Sequence, residues 1–145
     1  MSLFDALSIS ASGMDAQRQR AELLVQNLAN SETTRTPEGG PYRRKDVVFS
    51  STPQTSPFGA VFQTVQGGGE GVEVSEVVED LRPVEKRYLP GHPDADAEGY
   101  VSFPNVNPAE DMADLLSATR GYQGDVAAIS AVKSMISQAI QLLGA

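Results

Sequence analysis

The chain closes on "NVNPAEDMADLLSATRGYQGDVAAISAVKSMISQAIQLLGA", a stretch with no proline after Pro108 and an apolar pattern of helical period from there to Leu143. No other feature constrains the fold as much. A helix over those 36 residues would be about 54 Å long at 1.5 Å per residue. Leu115, Tyr122, Ile129, Ile136 and Leu143 recur at steps of seven, and Met112, Thr119, Val126, Lys133 and Ile140 form a companion row with Lys133 as its polar exception. The start is equally marked. Asn107 suits an N-cap, Pro108 the first helical position, and Glu110 the third position of a capping box. Asp111 and Asp114 add negative charge where the helix dipole favours it.

The other end reads the same way, more weakly. Leu3, Leu7, Met14, Ala21, Leu24 and Leu28 keep to one stripe, with Phe4, Ala11 and Val25 beside it. Ser10 and Gln17 interrupt that stripe, and Gly13 costs about 1 kcal/mol relative to Ala in a helix interior. The pattern stops at "NLANSETTRTPEGG", which is turn and linker chemistry. All nine prolines lie from Pro37 to Pro108, and most of the thirteen glycines lie between the two patterned ends. The chain therefore divides into 1–30, a helix; 31–107, β-rich and irregular; and 108–145, a helix. In the middle, "YRRKDVVF", "AVFQTVQ", "GVEVSEVV", "KRYL" and "YVSF" are predicted strands bounded by Gly and Pro, the third of them half-buried. "SSTPQTSPFG" and "QGGGEG" are predicted loops. The predicted class is α+β, with long terminal helices packing as a coiled-coil-like pair around a small β-rich insert.

Such helices overshoot what the chain offers them. The N-terminal helix would run about 42 Å, whereas an insert of this size is only about 25 Å across. A hairpin of the two helices in a monomer is one solution. It leaves part of each apolar stripe wet, and a wet stripe is an address for other chains. Ends that order only on assembly are the other solution, and interior residues such as Ser10, Gly13, Gln17, Gly121 and Gly124 suit it.

Composition excludes several functions. Net charge is −8, and between Glu70 and Glu98 nine acids face three bases. Nucleic acid requires the opposite balance, as does an anionic membrane surface. With no Cys and only His92, thiolate zinc sites, disulfides and a nucleophile–base arrangement are hard to build. No apolar run approaches the roughly 20 residues of a membrane span, and "MSLFDALSISASG" lacks the regions of a cleavable signal. "DADAEG" (Asp94 to Gly99) opens like a calcium loop. Position twelve is Asn105 rather than a bidentate Glu, and a turn is the expectation there. His92 is read as a turn residue, and "QGGGEG" lacks the Lys-Ser/Thr of a phosphate loop. Arg43, Arg44 and Lys45 form either an exposed strand start or a docking site for an acidic neighbour. The pairs Glu79/Asp80 and Glu110/Asp111 are read as solvated or capping. No cofactor or metal is expected.

"SGMDAQRQRAELLVQNLANSETTRT" resembles the N-terminal signature of the bacterial flagellar rod and hook family. "YLPGHPDADAEGYVSFPNVNPAEDMADLLSATRGYQGDVAAISAVKSMI" is similar to the corresponding part of its proximal-rod members, which usually carry residues other than glycine at Gly121 and Gly124. The resemblance implies a non-enzymatic structural subunit of the proximal rod. It also implies export through the flagellar type III apparatus without a cleaved signal, and assembly in the periplasm with copies of itself and other rod subunits into a torque-transmitting shaft. On that reading the stripes of Leu3 to Leu28 and Met112 to Leu143 are the assembly interface. A cytoplasmic coiled-coil adaptor and a small hydrolase or transferase are the competing readings.

Overall fold

The computed structural model describes residues 3–53 and 69–143, the side chains of 53 and 143 excepted. Its elements are α1 (Leu3–Ala29), β1 (Lys45–Pro53), β2 (Glu70–Glu79), β3 (Glu85–Tyr88), β4 (Tyr100–Phe103) and α2 (Pro108–Leu143). The class is α+β, with two long terminal helices and a small β region between them. The predicted strand at 60–66 lies outside the described residues, as do 54–59 of the first predicted loop and 66–68 of the second. Ser50 to Pro53, expected in a loop, instead extend β1, and Glu70 and Gly71 begin β2. β-branched and hydroxyl side chains suit an extended backbone, which overrode the turn signal of the neighbouring prolines.

Helix α1 stops where its sequence turns polar. The Asn30 N–H donates to the Gln26 and Asn27 carbonyls at 3.1 and 3.2 Å, and its side-chain amide also reaches Gln26 O at 2.9 Å. Beyond it, the turn at "TPEGG" closes through Thr36 N–H to Gly40 O at 2.8 Å. Gly39 and Gly40 sit there at φ 93° and 80°, a region open to glycine and strained for most other residues.

The strands form two two-stranded ribbons, β1 with β2 and β3 with β4. In the second, antiparallel, Glu85 pairs with Phe103 and Tyr88 with Tyr100. Alternation sends Val101 and Phe103 inward, where both are buried, and the Arg87 guanidinium lies 4.7 Å over the Phe103 ring. Tyr88 and Tyr100 meet edge to face at 5.4 Å on the other side. Strand β2 departs from expectation. Gly71 is its one buried residue, and Val72, Val77 and Val78 are exposed. Val74 is half-buried, so the alternation of the pattern is only weakly expressed in the burial of the strand.

The chain resolves into two compact units, each drawing on both ends of the sequence: Met1–Gln19, Phe49–Ser75 and Ala118–Ala145 in one, Arg20–Val48 and Glu76–Ser117 in the other. In the first, the buried apolar residues among those described are Ala16, Ala118 and Val132. In the second they are Leu24, Tyr42, Val101 and Phe103, accompanied by the polar Asn27 and Asp111.

Candidate assembly interface

In the first unit the two helices run antiparallel and meet through small residues. A side chain on Gly13 would put its Cβ 2.8 Å from Asp125 Oδ2, and one on Gly121 would lie 3.2 Å from Gln17 Cδ. Gly13 and Gly121, each a weak point by helix propensity, are the positions that allow this approach; Gly124 meets nothing within 4 Å. The same seam carries a buried Gln17 Oε1 without a hydrogen-bond partner among the described residues. One further contact fixes the strand: the Val72 N–H donates to Ser12 Oγ at 3.1 Å.

The face that α2 turns inward is one position off the predicted companion row. Asp111, Ala118 and Val132 are buried and Asp125 half-buried, a row at steps of seven. Polar residues at half its places disguised it in the sequence. Leu115, Ile129 and Ile136 are half-buried at its edge, and Tyr122 is 37% exposed. The companion row points out: Met112 is 55% exposed, Val126 40% and Ile140 64%. Leu116, Met135 and Leu142 are exposed too. Leu143 ends the helix, and its side chain lies outside the described residues. On α1, Leu24 is buried, Leu7, Met14, Ala21 and Leu28 are half-buried, and Leu3 and Phe4 are exposed.

At the start of α2, Asn107 Oδ1 accepts the Ala109 N–H at 3.2 Å, and its carbonyl accepts the Asp111 N–H at 3.0 Å. Pro108 occupies the first helical position, and Glu110 is exposed.

The second unit contains a polar joint that sequence reasoning missed. Asn27 is fully buried. Its amide donates to the Lys45 carbonyl at 2.8 Å, and its oxygen accepts the Lys45 N–H at 2.9 Å and the Tyr42 hydroxyl at 2.9 Å. One side chain thus supplies the hydrogen bonds a neighbouring strand would, and fastens the first residue of β1 to the last turns of α1. Burial pushes the Tyr42 phenol pKa up, with the charges of Glu79 and Asp111 adding to it.

Beside it, Arg44 donates to Asp111 Oδ1 at 2.8 and 3.1 Å, and also to Asp46. Arg20 reaches Asp114 at 3.2 Å. Burial alone would lower the Arg44 pKa; the bond to Asp111 and the charges of Asp111 and Asp46 outweigh it and raise it. Asp111, expected to be solvated or capping, is 1% exposed. The basic triplet is corrected with it. Arg43 donates to the Arg82 carbonyl at 2.8 Å and Lys45 lies 3.7 Å from Glu79, so all three bases are half-buried with partners in their own chain rather than an exposed strand start. Asp80 is held at a pKa of about 2, chiefly by the Arg82 side chain and then by its N–H. The one available signal was a polar residue, Asn27, three places after Leu24 on the inward stripe.

"DADAEG" forms a turn. Asp96 Oδ1 accepts the N–H groups of Glu98 and Tyr100 at 3.0 and 2.8 Å, while Asp94 is taken by Thr34 and Arg35. His92 Nδ1 accepts the Asp94 N–H at 3.1 Å within the same turn. Among the described residues no group of three His, Cys, Asp or Glu could hold a metal, and no helix is long and apolar enough to cross a membrane.

Comparison with known proteins decides what this helical frame belongs to. Residues 97–142 match the family described as "Flagellar basal body rod FlgEFG protein C-terminal". Over the whole length the chain is 37% identical to the flagellar basal-body rod protein FlgC of Borreliella burgdorferi, covering 99% of each. It is 41% identical to that of Bacillus subtilis, covering 98% of this chain and 99% of the relative. With that of Escherichia coli O157:H7 the identity is 38%, covering 98% of each. The chain belongs to the FlgC family of flagellar basal-body rod proteins. FlgC-family membership makes it a structural rod subunit of the basal body and not an enzyme. The site of interest is accordingly a set of surfaces, and the outward rows of its helices are the candidates.

Proposed function

We propose that this rod subunit polymerises with copies of itself and with other rod subunits through its terminal helices, residues 1–30 and 108–145, forming part of the proximal drive shaft that carries motor torque to the hook. Residues 31–107 form the outer, β-rich part and contact neighbours. The observation that carries this reading is the outward apolar row of α2. Met112, Val126 and Ile140 lie along a helix of 36 residues, exposed in the lone chain. Apolar side chains strung along one helix flank are costly to leave in water, and burial at about 25 cal/mol per Å² would drive their association. The half-buried and exposed positions of α1 (Leu3, Leu7, Met14, Ala21 and Leu28) extend the interface, with Leu115, Tyr122, Ile129, Ile136 and Leu143 on the flank of α2. Leu24, already buried, supports it from beneath. Asn107, Pro108 and Glu110 set where α2 begins.

The polymer forms in the periplasm from chains delivered unfolded by the flagellar type III export apparatus without a cleaved signal. A chain with no Cys has no disulfide to obstruct such passage. The reading is tested with the triple variant Met112→Ser, Val126→Ser, Ile140→Ser in flagellated cells lacking their own copy. The expected result is a protein that is exported but absent from purified basal bodies. Incorporation at wild-type levels would refute the assembly role of the row.

A further inference from the structure

From Ala118 onward α2 carries two exposed cations, Arg120 and Lys133, and neither has a partner among the described residues. Its one acid in that stretch, Asp125, is turned against Gly13. The rest of the chain is the reverse: residues 1–117 hold nine bases against eighteen acids. The outer part of α2 is therefore electrostatically matched to another copy of the same chain. On one flank, Val126, Lys133 and Ile140 follow at steps of seven, a row about 21 Å long with the cation at its centre.

A complementary row exists on β2. Alternation puts Val72, Val74, Glu76 and Val78 on one face of this single strand, and Val72 to Val78 spans about 20 Å. Val72 and Val78 are exposed, and Glu76 is exposed and without a partner among the described residues. Glu76 falls about 3 Å from the middle of its row, within reach of a lysine side chain placed centrally on the other. Among the described residues the β1–β2 ribbon has two strands; α1 meets it at the Val72 N–H and Val74 is half-buried, yet the side chains of Val72 and Val78 stay exposed and can take a further layer. The outward carboxylate of α1 is a poorer match, because Asp15 is already held by Arg18 at 2.6 Å and Gln19 at 2.8 Å.

We infer that the Val126–Lys133–Ile140 row of α2 in one copy docks on the Val72–Glu76–Val78 face of β2 in a second copy, with Lys133 paired to Glu76. The inference rests on the assembly reading above and names which surface meets which. The contact joins two different surfaces, so it is head to tail and leaves each copy with one unused half, the geometry of a ring or a helical array.

Two measurements on the purified full-length chain test it. In sedimentation velocity, Lys133→Glu and Glu76→Lys each weaken self-association about five- to tenfold, the scale of reversing one partly exposed pair, and the double variant regains wild-type association. Second, because the chain has no Cys, chains with Lys133→Cys and chains with Glu76→Cys are mixed and treated with a short bis-maleimide linker. The mixed product exceeds either homodimer. Wild-type self-association that ignores both reversals, or a Lys133→Cys homodimer that exceeds the mixed product, overturns the docking while leaving helix-driven assembly intact. A wild-type chain that stays monomeric at its highest soluble concentration overturns self-assembly and the docking together.

Discussion

The two compact units are held by different physics. The unit containing Arg20–Val48 and Glu76–Ser117 is joined by directed polar contacts: Asn27 clamps Lys45, and Arg44 neutralises a buried Asp111. The unit containing Phe49–Ser75 and Ala118–Ala145 relies on fit, with Gly13 and Gly121 letting Asp125 and Gln17 close in, and Ala16, Ala118 and Val132 as its small core. Directed contacts specify one arrangement and tolerate little change. Fit through small residues buries little area and leaves the outer flank of α2 free. For a subunit that must be exact in itself and adhesive to neighbours, the difference divides the labour.

Substitutions can break or sharpen that contrast. The largest loss is expected for Asp111→Ala, which removes two charge-assisted hydrogen bonds of Arg44, leaves it Asp46 as its remaining close partner, and costs about 3 kcal/mol in denaturant unfolding. Replacing both partners, Arg44→Met with Asp111→Leu, recovers most of it. Next is Asn27→Ala, which leaves the Lys45 backbone groups and the Tyr42 hydroxyl unpaired and costs about 2–3 kcal/mol. Tyr42→Phe, losing one bond, costs about 1 kcal/mol. If the first unit relied on directed contacts as well, Asp125→Ala would behave like Asp111→Ala. The expectation is a small effect, and Gly13→Ala combined with Asp125→Ala gains about 1 kcal/mol because a helix interior prefers Ala once the carboxylate no longer crowds it.

Acid probes the second unit through Asp80. Asp80 has a folded pKa of about 2 against an ordinary 3.8. Its contribution is complete above pH 4 and disappears as pH falls from about 4 to about 2. Its partner Arg82 is 68% exposed, so solvent screening limits the loss to about 1 kcal/mol. Arg82→Ala removes that part of the acid sensitivity, read as a flatter stability profile between those pH values. The smallest effect on the lone chain is expected for the outward-row serine variant, within about 0.5 kcal/mol. Its consequence is confined to assembly.

Helix α2 was legible in full, from Pro108 to Leu143, because a capping signal and an uninterrupted period act locally. The strands at 71–78, 86–89 and 100–103 were legible for a similar reason: Gly and Pro punctuate them. The inward face of α2 was not. Asp111 and Asp125 sit on it, and hydrophobic periodicity assigns such residues outward. The reading of the Arg43–Lys45 triplet as exposed failed for the same cause, since a charge run looks solvated until its partners, 34 to 67 residues away for Lys45 and Arg44, are brought beside it.

Sequence alone determined the extent of the two helices, the α+β class and the family, since propensity, capping and turn chemistry depend on neighbours a few residues apart. Tertiary structure decided which flank of each helix is spent inside the chain and which is left over. That choice turns on Gly13 giving room to Asp125 and on Arg44 compensating Asp111. Steric room and charge compensation between distant segments exist only once the chain has folded.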